Sequence, residues 1–344
     1  MITVAFSTHR LEVLKKAETI MRTHDTVALE EPPHPNFYAM LEGHMSIQEY
    51  LEKSDYEFPR FARASCLLYR RLHAQGKHLL QVDPYLEHLN RLHDFFADGG
   101  DAHALDPKDA AYEVYHAERR ATATLLDFYA KSVSAPFSDV VASVVAFARA
   151  DAARIGLRDR MRAEALTVVA EGSESLYVEC GYIHWSLFRH LQRLLGRRTR
   201  LRPLFLLDQE ARRRIGKKQV LGPGDRLTLR LVFRENLRTP LLSLLAAQSL
   251  IFIKLVHKEE MSPSQGSFPH LDDEAQADRW TRCLSWKDCE RLWPLVRQKP
   301  SQPAQDIVRS YLQERFNHDF EKLETVHPNA TGGGFFDSLG LRRP

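Results

Sequence analysis

Short apolar runs alternate with longer segments of helical period from the first residue onward, which restricts the chain to parallel strands joined by helical crossovers. The runs cover residues 2–6, 26–29, 78–82 and 176–180. Between the first two, Leu11, Leu14, Ala17, Ile20 and Met21 recur at helical spacing and predict the first crossover. Each run gives way to polar residues. His9 follows the first, Glu30-Glu31 and Pro32-Pro33 the second, Asp83-Pro84 the third, and Gly181-Tyr182-Ile183-His184 the fourth. Ligands of open α/β sheets sit outside the carboxyl ends of the strands, so His9, Glu30 or Glu31, Asp83 and His184 are expected along one edge. Imidazole and carboxylate together serve either as ligands of a divalent metal or as a base and its orienting partner.

Nearly fifty residues separate the second and third runs, and the helical patterns within them, at 46–53 and 59–75, belong over the strand ends as a lid. Helical patterns also fill 84–96, 107–131 and 137–153, a block of the size of a helical cap. Further helices are expected at 157–170 and 185–195, with a last strand at 204–207. Beyond it the pattern changes. Residues 219–233, with Gly222-Pro223-Gly224-Asp225 and then alternating Leu and Arg, predict a hairpin, followed by helices at 240–256, 274–283, 286–296 and 304–316. The expected fold class is therefore α/β: a central, mostly parallel sheet with helical crossovers and a helical cap in residues 1–205, and a smaller α+β region in 206–328. Residues 329–344, with Gly332-Gly333-Gly334, are expected to form a flexible tail.

A chain of 344 residues with 44% hydrophobic and 27% charged residues is globular rather than disordered in composition, and 48 Lys and Arg against 45 Asp and Glu leave a net charge that selects no partner. Cys66, Cys180, Cys283 and Cys289 form no CxxC pair, which argues for reduced thiols over a zinc knuckle or disulfide framework. The start of the chain lacks the basic segment and long apolar centre of a signal peptide, so a cytoplasmic location is expected. The apolar stretch 240–256 contains Ser243, Gln248, Ser249 and Lys254 and reads as a buried helix, not a membrane span. No GxGxxG or GxxxxGK[ST] loop is present, so no nucleotide cofactor is expected. The basic residues Arg197, Arg198, Arg200, Arg202, Arg212, Arg213, Arg214, Lys217 and Lys218 have only Phe205 among them, too few aromatics for a stacking platform. They read as a solvated face or an acidic-partner surface rather than a nucleic-acid site. Trp280, Trp286 and Trp293 read as core. His73 and His78, like His88 and His93, are spaced i, i+5 and do not make a helical zinc pair.

Four elements in order resemble the TraB/PrgY and TIKI group of the erythromycin-esterase-like superfamily: Phe6-Ser7-Thr8-His9, Leu29-Glu30-Glu31, Arg158-Asp159-Arg160-Met161, and Gly181-Tyr182-Ile183-His184. The family's first motif begins with glycine, where this chain has Phe6. The resemblance covers roughly residues 1 to 200. It implies a metal-dependent peptidase or related hydrolase for one branch, an esterase for another, and regulatory or ligand-binding roles for others. On it, His9, Glu30 and His184 would hold a divalent ion such as Mn, Co or Zn. Glu30 or Glu31 would activate water, and Arg158 would meet the oxyanion of a small-molecule or peptide substrate. Asp83 reads as the cap of the helix begun by Pro84, and Asp159 as a local ion-pair partner.

Overall fold

A computed structural model describes residues 1–52, 56–196, 199–233, 239–264 and 266–316. In chain order the elements are β1 (Ile2–Ser7), α1 (Leu14–Met21), β2 (Thr26–Leu29), α2 (Phe37–Glu42), α3 (Ile47–Leu51), α4 (Pro59–Ala74), β3 (His78–Gln81), α5 (Pro84–Ala97), α6 (Ala110–Ser134) and α7 (Phe137–Glu171). Then come β4 (Leu176–Gly181), α8 (Trp185–Leu195), β5 (Leu201–Phe205), α9 (Asp208–Ile215), α10 (Pro223–Val232), α11 (Thr239–Leu255), α12 (Pro269–Arg282), α13 (Trp286–Val296) and α14 (Ser301–Phe316). The fold is α/β. The five strands form one all-parallel sheet in the order β3-β2-β4-β1-β5.

That order follows from the strands' composition. Every residue of β1, β2 and β4 is buried, as required of inner strands covered on both faces, whereas β3 and β5 carry partly exposed residues and lie at the edges. Parallel register sets Ser7 beside Gly181 and Leu29 beside Gln81, so the carboxyl ends of β1, β2, β3 and β4 lie along one edge. α5 opens as its sequence dictates, with Asp83 Oδ1 accepting Leu86 N–H at 3.1 Å and Pro84 at the first helical position.

The chain divides into two compact units, residues 1–119 with 154–206 and residues 120–153 with 207–344. The described residues of the second unit contain no strand, so where an α+β region was expected over 206–328 its described part is helical instead. The hairpin expected at 219–233 is α10 instead. Gly222-Pro223 supplies the cap and the first helical position, and Asp225 Oδ2 accepts the Gly222 N–H at 2.9 Å, so the glycine and proline start a helix rather than turn a hairpin. Leu227 and Leu229 are buried, and so is Thr228 between them, which ends the apparent alternation. The two helices expected at 137–153 and 157–170 are one, α7, of 35 residues. Gly156 sits within it at the usual interior penalty of roughly 1 kcal/mol.

The apolar stretch expected as a buried helix is α11, whose Leu245, Ala246, Leu250 and Ile251 pack with Trp280, Leu292 and Trp293 in the core of the second unit, with Trp286 against it. No helix among the described residues is long and apolar enough to cross a membrane. Arg197, Arg198 and the tail 329–344 lie outside the described residues.

Candidate functional site

Glu30, the first residue past β2, is the centre of the site. Its side chain is 6% exposed, and its Oε2 accepts the backbone N–H of Gly181 at the end of β4. Around it stand Arg158 Nη2 and His184 Nε2, 3.2 and 3.3 Å from Oε1, and Arg162 Nη1 and His9 Nε2, 3.8 and 3.9 Å from Oε2. Burial by itself would raise the Glu30 carboxyl. His184, Arg162, Arg158 and His9 outweigh it and hold the group well below the usual carboxylate range.

His184 begins α8, and its Nδ1 lies 2.6 Å from Asp159 Oδ1 on α7. The carboxylate orients the ring, and Nε2 stands 3.3 Å from both Arg158 Nη1 and Glu30 Oε1. Asp159 is fully buried and also accepts from the Ser186 hydroxyl and from Leu187 N–H at 3.1 Å. The local ion pair expected for it is replaced by this long-range anchoring of His184. Asp83 fills two roles, capping α5 through Oδ1 and accepting Arg158 Nε and Nη2 through Oδ2 at 2.8 and 2.5 Å. Arg158 is thereby clamped, with its remaining face toward Glu30 and His184.

Gly181 has a steric reason to be glycine: a Cβ there would stand 3.3 Å from His184 Cδ2 and 3.5 Å from both Glu30 Oε2 and His9 Cε1. The same three distances show that His9, Glu30 and His184 converge on one point of the sheet edge. His9 reaches it from the loop after β1 in a left-handed conformation, φ 51°, with its N–H on Ser7 Oγ at 3.0 Å. It is the most open member, 34% exposed, with Phe61 of α4 at 5.9 Å between ring centroids. Phe6 turns into the apolar packing, its ring 4.7 Å from that of Trp185 and 5.0 Å from that of Phe205.

Glu31 diverges from Glu30. Its Oε2 accepts Gln81 Nε2 at 2.8 Å, and burial pushes its carboxyl up to about 7 against that hydrogen bond, with the charge of Glu179 adding to the rise.

Two residues of the site were not singled out from the sequence. Glu179 on β4 accepts Glu30 N–H at 3.3 Å and places Oε1 4.0 Å from His9 Nε2. Burial raises its carboxyl and His9 opposes the rise. A lone carboxylate inside the run Leu176-Tyr177-Val178-Glu179-Cys180 was the available signal. Arg162 is 1% exposed and donates to the carbonyls of Val82 and Glu179 at 2.8 and 2.7 Å, tying the ends of two strands together beneath Glu30. Its i, i+4 spacing from Arg158 placed both guanidiniums on one helix face.

Donors for a divalent ion are present in kind, but Arg158 stands within 3.3 Å of both Glu30 and His184, where an ion shared by them would lie. Among the described residues no three His, Cys, Asp or Glu side chains are arranged to hold a metal. The arrangement as it stands is a pair of imidazoles and two carboxylates of opposite tendency, Glu30 held ionised and Glu179 held toward its neutral form, beside a clamped guanidinium. Divergent carboxyl groups of this kind separate acid from base roles at a single site.

No family model matches the chain. It is similar to an uncharacterized protein of Archaeoglobus fulgidus, 29% identical over 298 residues, a stretch covering 84% of this chain and 97% of that protein. No solved structure matches.

Proposed function

We propose that the first unit is a TraB/TIKI-like hydrolase acting on an amide or ester bond at the carboxyl edge of the sheet. The observation that carries this reading is the convergence of His9, His184, Arg158 and Glu179 on Glu30 beside Gly181. In the proposed reaction His9 takes a proton from water as it attacks the carbonyl carbon, the ionised Glu30 stabilises the imidazolium that results, and His184, 3.3 Å from Glu30, holds that carboxylate in place. Arg158 faces the oxyanion of the tetrahedral intermediate. The imidazolium then returns its proton to the leaving amine or alkoxide, which restores the site.

A second reading places a divalent ion on His9, Glu30 and His184. It is favoured by the 3.9 and 3.3 Å from Glu30 to His9 Nε2 and His184 Nε2, each within twice a metal–ligand bond of ~2.1 Å. Such an ion would act as a Lewis acid on the carbonyl, and it requires Arg158 to leave Glu30.

Turnover of a panel of nitrophenyl esters and aminoacyl nitroanilides by the full chain, with and without EDTA, tests both. The first reading expects EDTA-insensitive hydrolysis that is lost in His9→Ala. EDTA-sensitive hydrolysis with metal bound in wild type and absent from the variant supports the second. No turnover above the variant's background would leave a ligand-binding module and defeat both.

A further inference from the structure

The second unit holds a buried guanidinium, Arg226, with half-buried Lys217 and the more open Arg282 near it and too little negative charge among them. Arg226 on α10 has a side chain only 7% exposed, and its Nε and Nη2, the two donors of a guanidinium's side fork, make no hydrogen bond. Asp278 Oδ1 on α12 stands 3.5 Å from that Nη2 and likewise has no hydrogen-bond partner, while Asp278 Oδ2 is taken by Arg282 Nε at 2.7 Å. Drawing Arg226 onto Asp278 would still leave Nε unmet and one carboxylate shared by two guanidiniums. Asp225, at the start of the same helix, is committed to the Gly222 N–H.

Lys217, in the connection between α9 and α10, feels the same imbalance. Burial pushes its ammonium down to about 8, Arg282 and Arg226 push the same way, and Asp278 opposes them. Burial likewise pushes Arg226 down to about 10, and Arg282 and Arg230 add to the effect against Asp278 and Asp225. A guanidinium does not deprotonate in a protein, so relief comes from a counter-anion. Two residues on from Lys217, Gln219 has both its amide nitrogen and its amide oxygen buried without a hydrogen-bond partner. That pair suits a ligand that can both accept and donate. Lys217, Arg226 and Arg282 against Asp278 leave an excess of two positive charges, which matches a phosphate dianion better than a carboxylate, and the side fork of Arg226 fits two oxygens of one tetrahedral group.

We propose that the junction of the α9–α10 connection with α10 and α12 binds a small phosphate-class oxyanion, gripped by the fork of Arg226 and balanced by Lys217 and Arg282. The site belongs to the second unit and does not depend on the hydrolase reading. It gives a role to Lys217, at the end of a basic run that the sequence assigns to a solvated surface.

Thermal unfolding of the full chain in inorganic phosphate, against sodium chloride of equal ionic strength, tests it. Wild type is expected to melt about 2 °C or more higher in phosphate, because a ligand of the native state stabilises by mass action. Arg226→Met is expected to lose the phosphate response, and Lys217→Gln to lose most of it. Lys217 is only half-buried, so the second variant keeps the test open if the first does not fold. Equal midpoints in phosphate and chloride for wild type, or an undiminished response in Lys217→Gln, would overturn the proposal.

Discussion

Glu30→Gln is the sharpest perturbation of the site, because it removes one charge and almost no volume. In wild type the carboxylate faces Arg158 at 3.2 Å and Arg162 at 3.8 Å, all three side chains being mostly buried. Breaking a buried ion pair by neutralising one partner costs roughly 3–5 kcal/mol. Arg158 keeps Asp83, so the loss is placed at the lower end, about 3 kcal/mol. Its pH dependence has a definite sign. The folded carboxyl lies below its ordinary value, so the contribution of Glu30 is fully present above the unfolded pKa of about 4.5 and disappears as pH falls from there through the folded value. The wild type and the variant should therefore differ by the same amount from pH 6 to pH 8 and converge only in strong acid. Three of the four tryptophans, Trp280, Trp286 and Trp293, lie in the second unit, so fluorescence reports the wrong region. Hydrogen exchange of the amides of β1, β2 and β4 under urea reads the first unit directly. A difference under about 0.5 kcal/mol at pH 7, the range of ordinary surface substitutions, or one that grows toward pH 4, would refute the electrostatic reasoning.

Other substitutions probe separate parts of the arrangement. Gly181→Ala brings a Cβ to 3.3 Å from His184 and 3.5 Å from Glu30 and His9, so overpacking of about 1–3 kcal/mol and a larger loss of turnover are expected from parallel unfolding and activity measurements. Asp159→Asn leaves His184 without its anionic anchor and is expected to lower kcat about 10- to 100-fold, the range seen when a histidine's orienting partner is removed; unchanged kcat would remove His184 from the chemistry. Glu31→Gln should match wild type in stability near pH 4 and exceed it by up to about 3 kcal/mol at pH 8. The folded carboxyl, at about 7 against 4.5, favours folding only while protonated, and each unit is worth ~1.4 kcal/mol; urea midpoints at the two pH values check the sign. Phe6→Ala removes a buried ring packed against both Trp185 and Phe205 and is expected to cost about 3–5 kcal/mol without altering the pH dependence of turnover, which denaturation and a pH–rate profile would show.

The sheet was legible because inner parallel strands are short and apolar on both faces, a pattern that residues 2–6, 26–29 and 176–180 carry openly. The end of β2 could be located, but the choice between Glu30 and Glu31 could not. It is decided by Gly181 N–H and Arg158 on one side and Gln81 on the other, residues far away in the chain. Asp159 and Arg162 were hidden for a similar reason. On a helix rich in Arg and Asp they read as solvated charge, and only the packing of α7 beneath the strand ends turns them inward. The hairpin reading of 219–233 failed where local alternation was a poor guide. Gly-Pro opens a helix as readily as a turn, and the capping contact of Asp225 settles which.

The central claim, that His9 moves the proton at this edge, is tested most directly by ester hydrolysis in His9→Ala with and without added imidazole. General-base catalysis of this kind contributes on the order of 10²–10⁴ in rate. The account predicts a loss in that range, with part of the activity restored by imidazole entering beside Glu30 and Glu179. Turnover equal to wild type, or a loss that imidazole does not relieve in a folded variant, would contradict it.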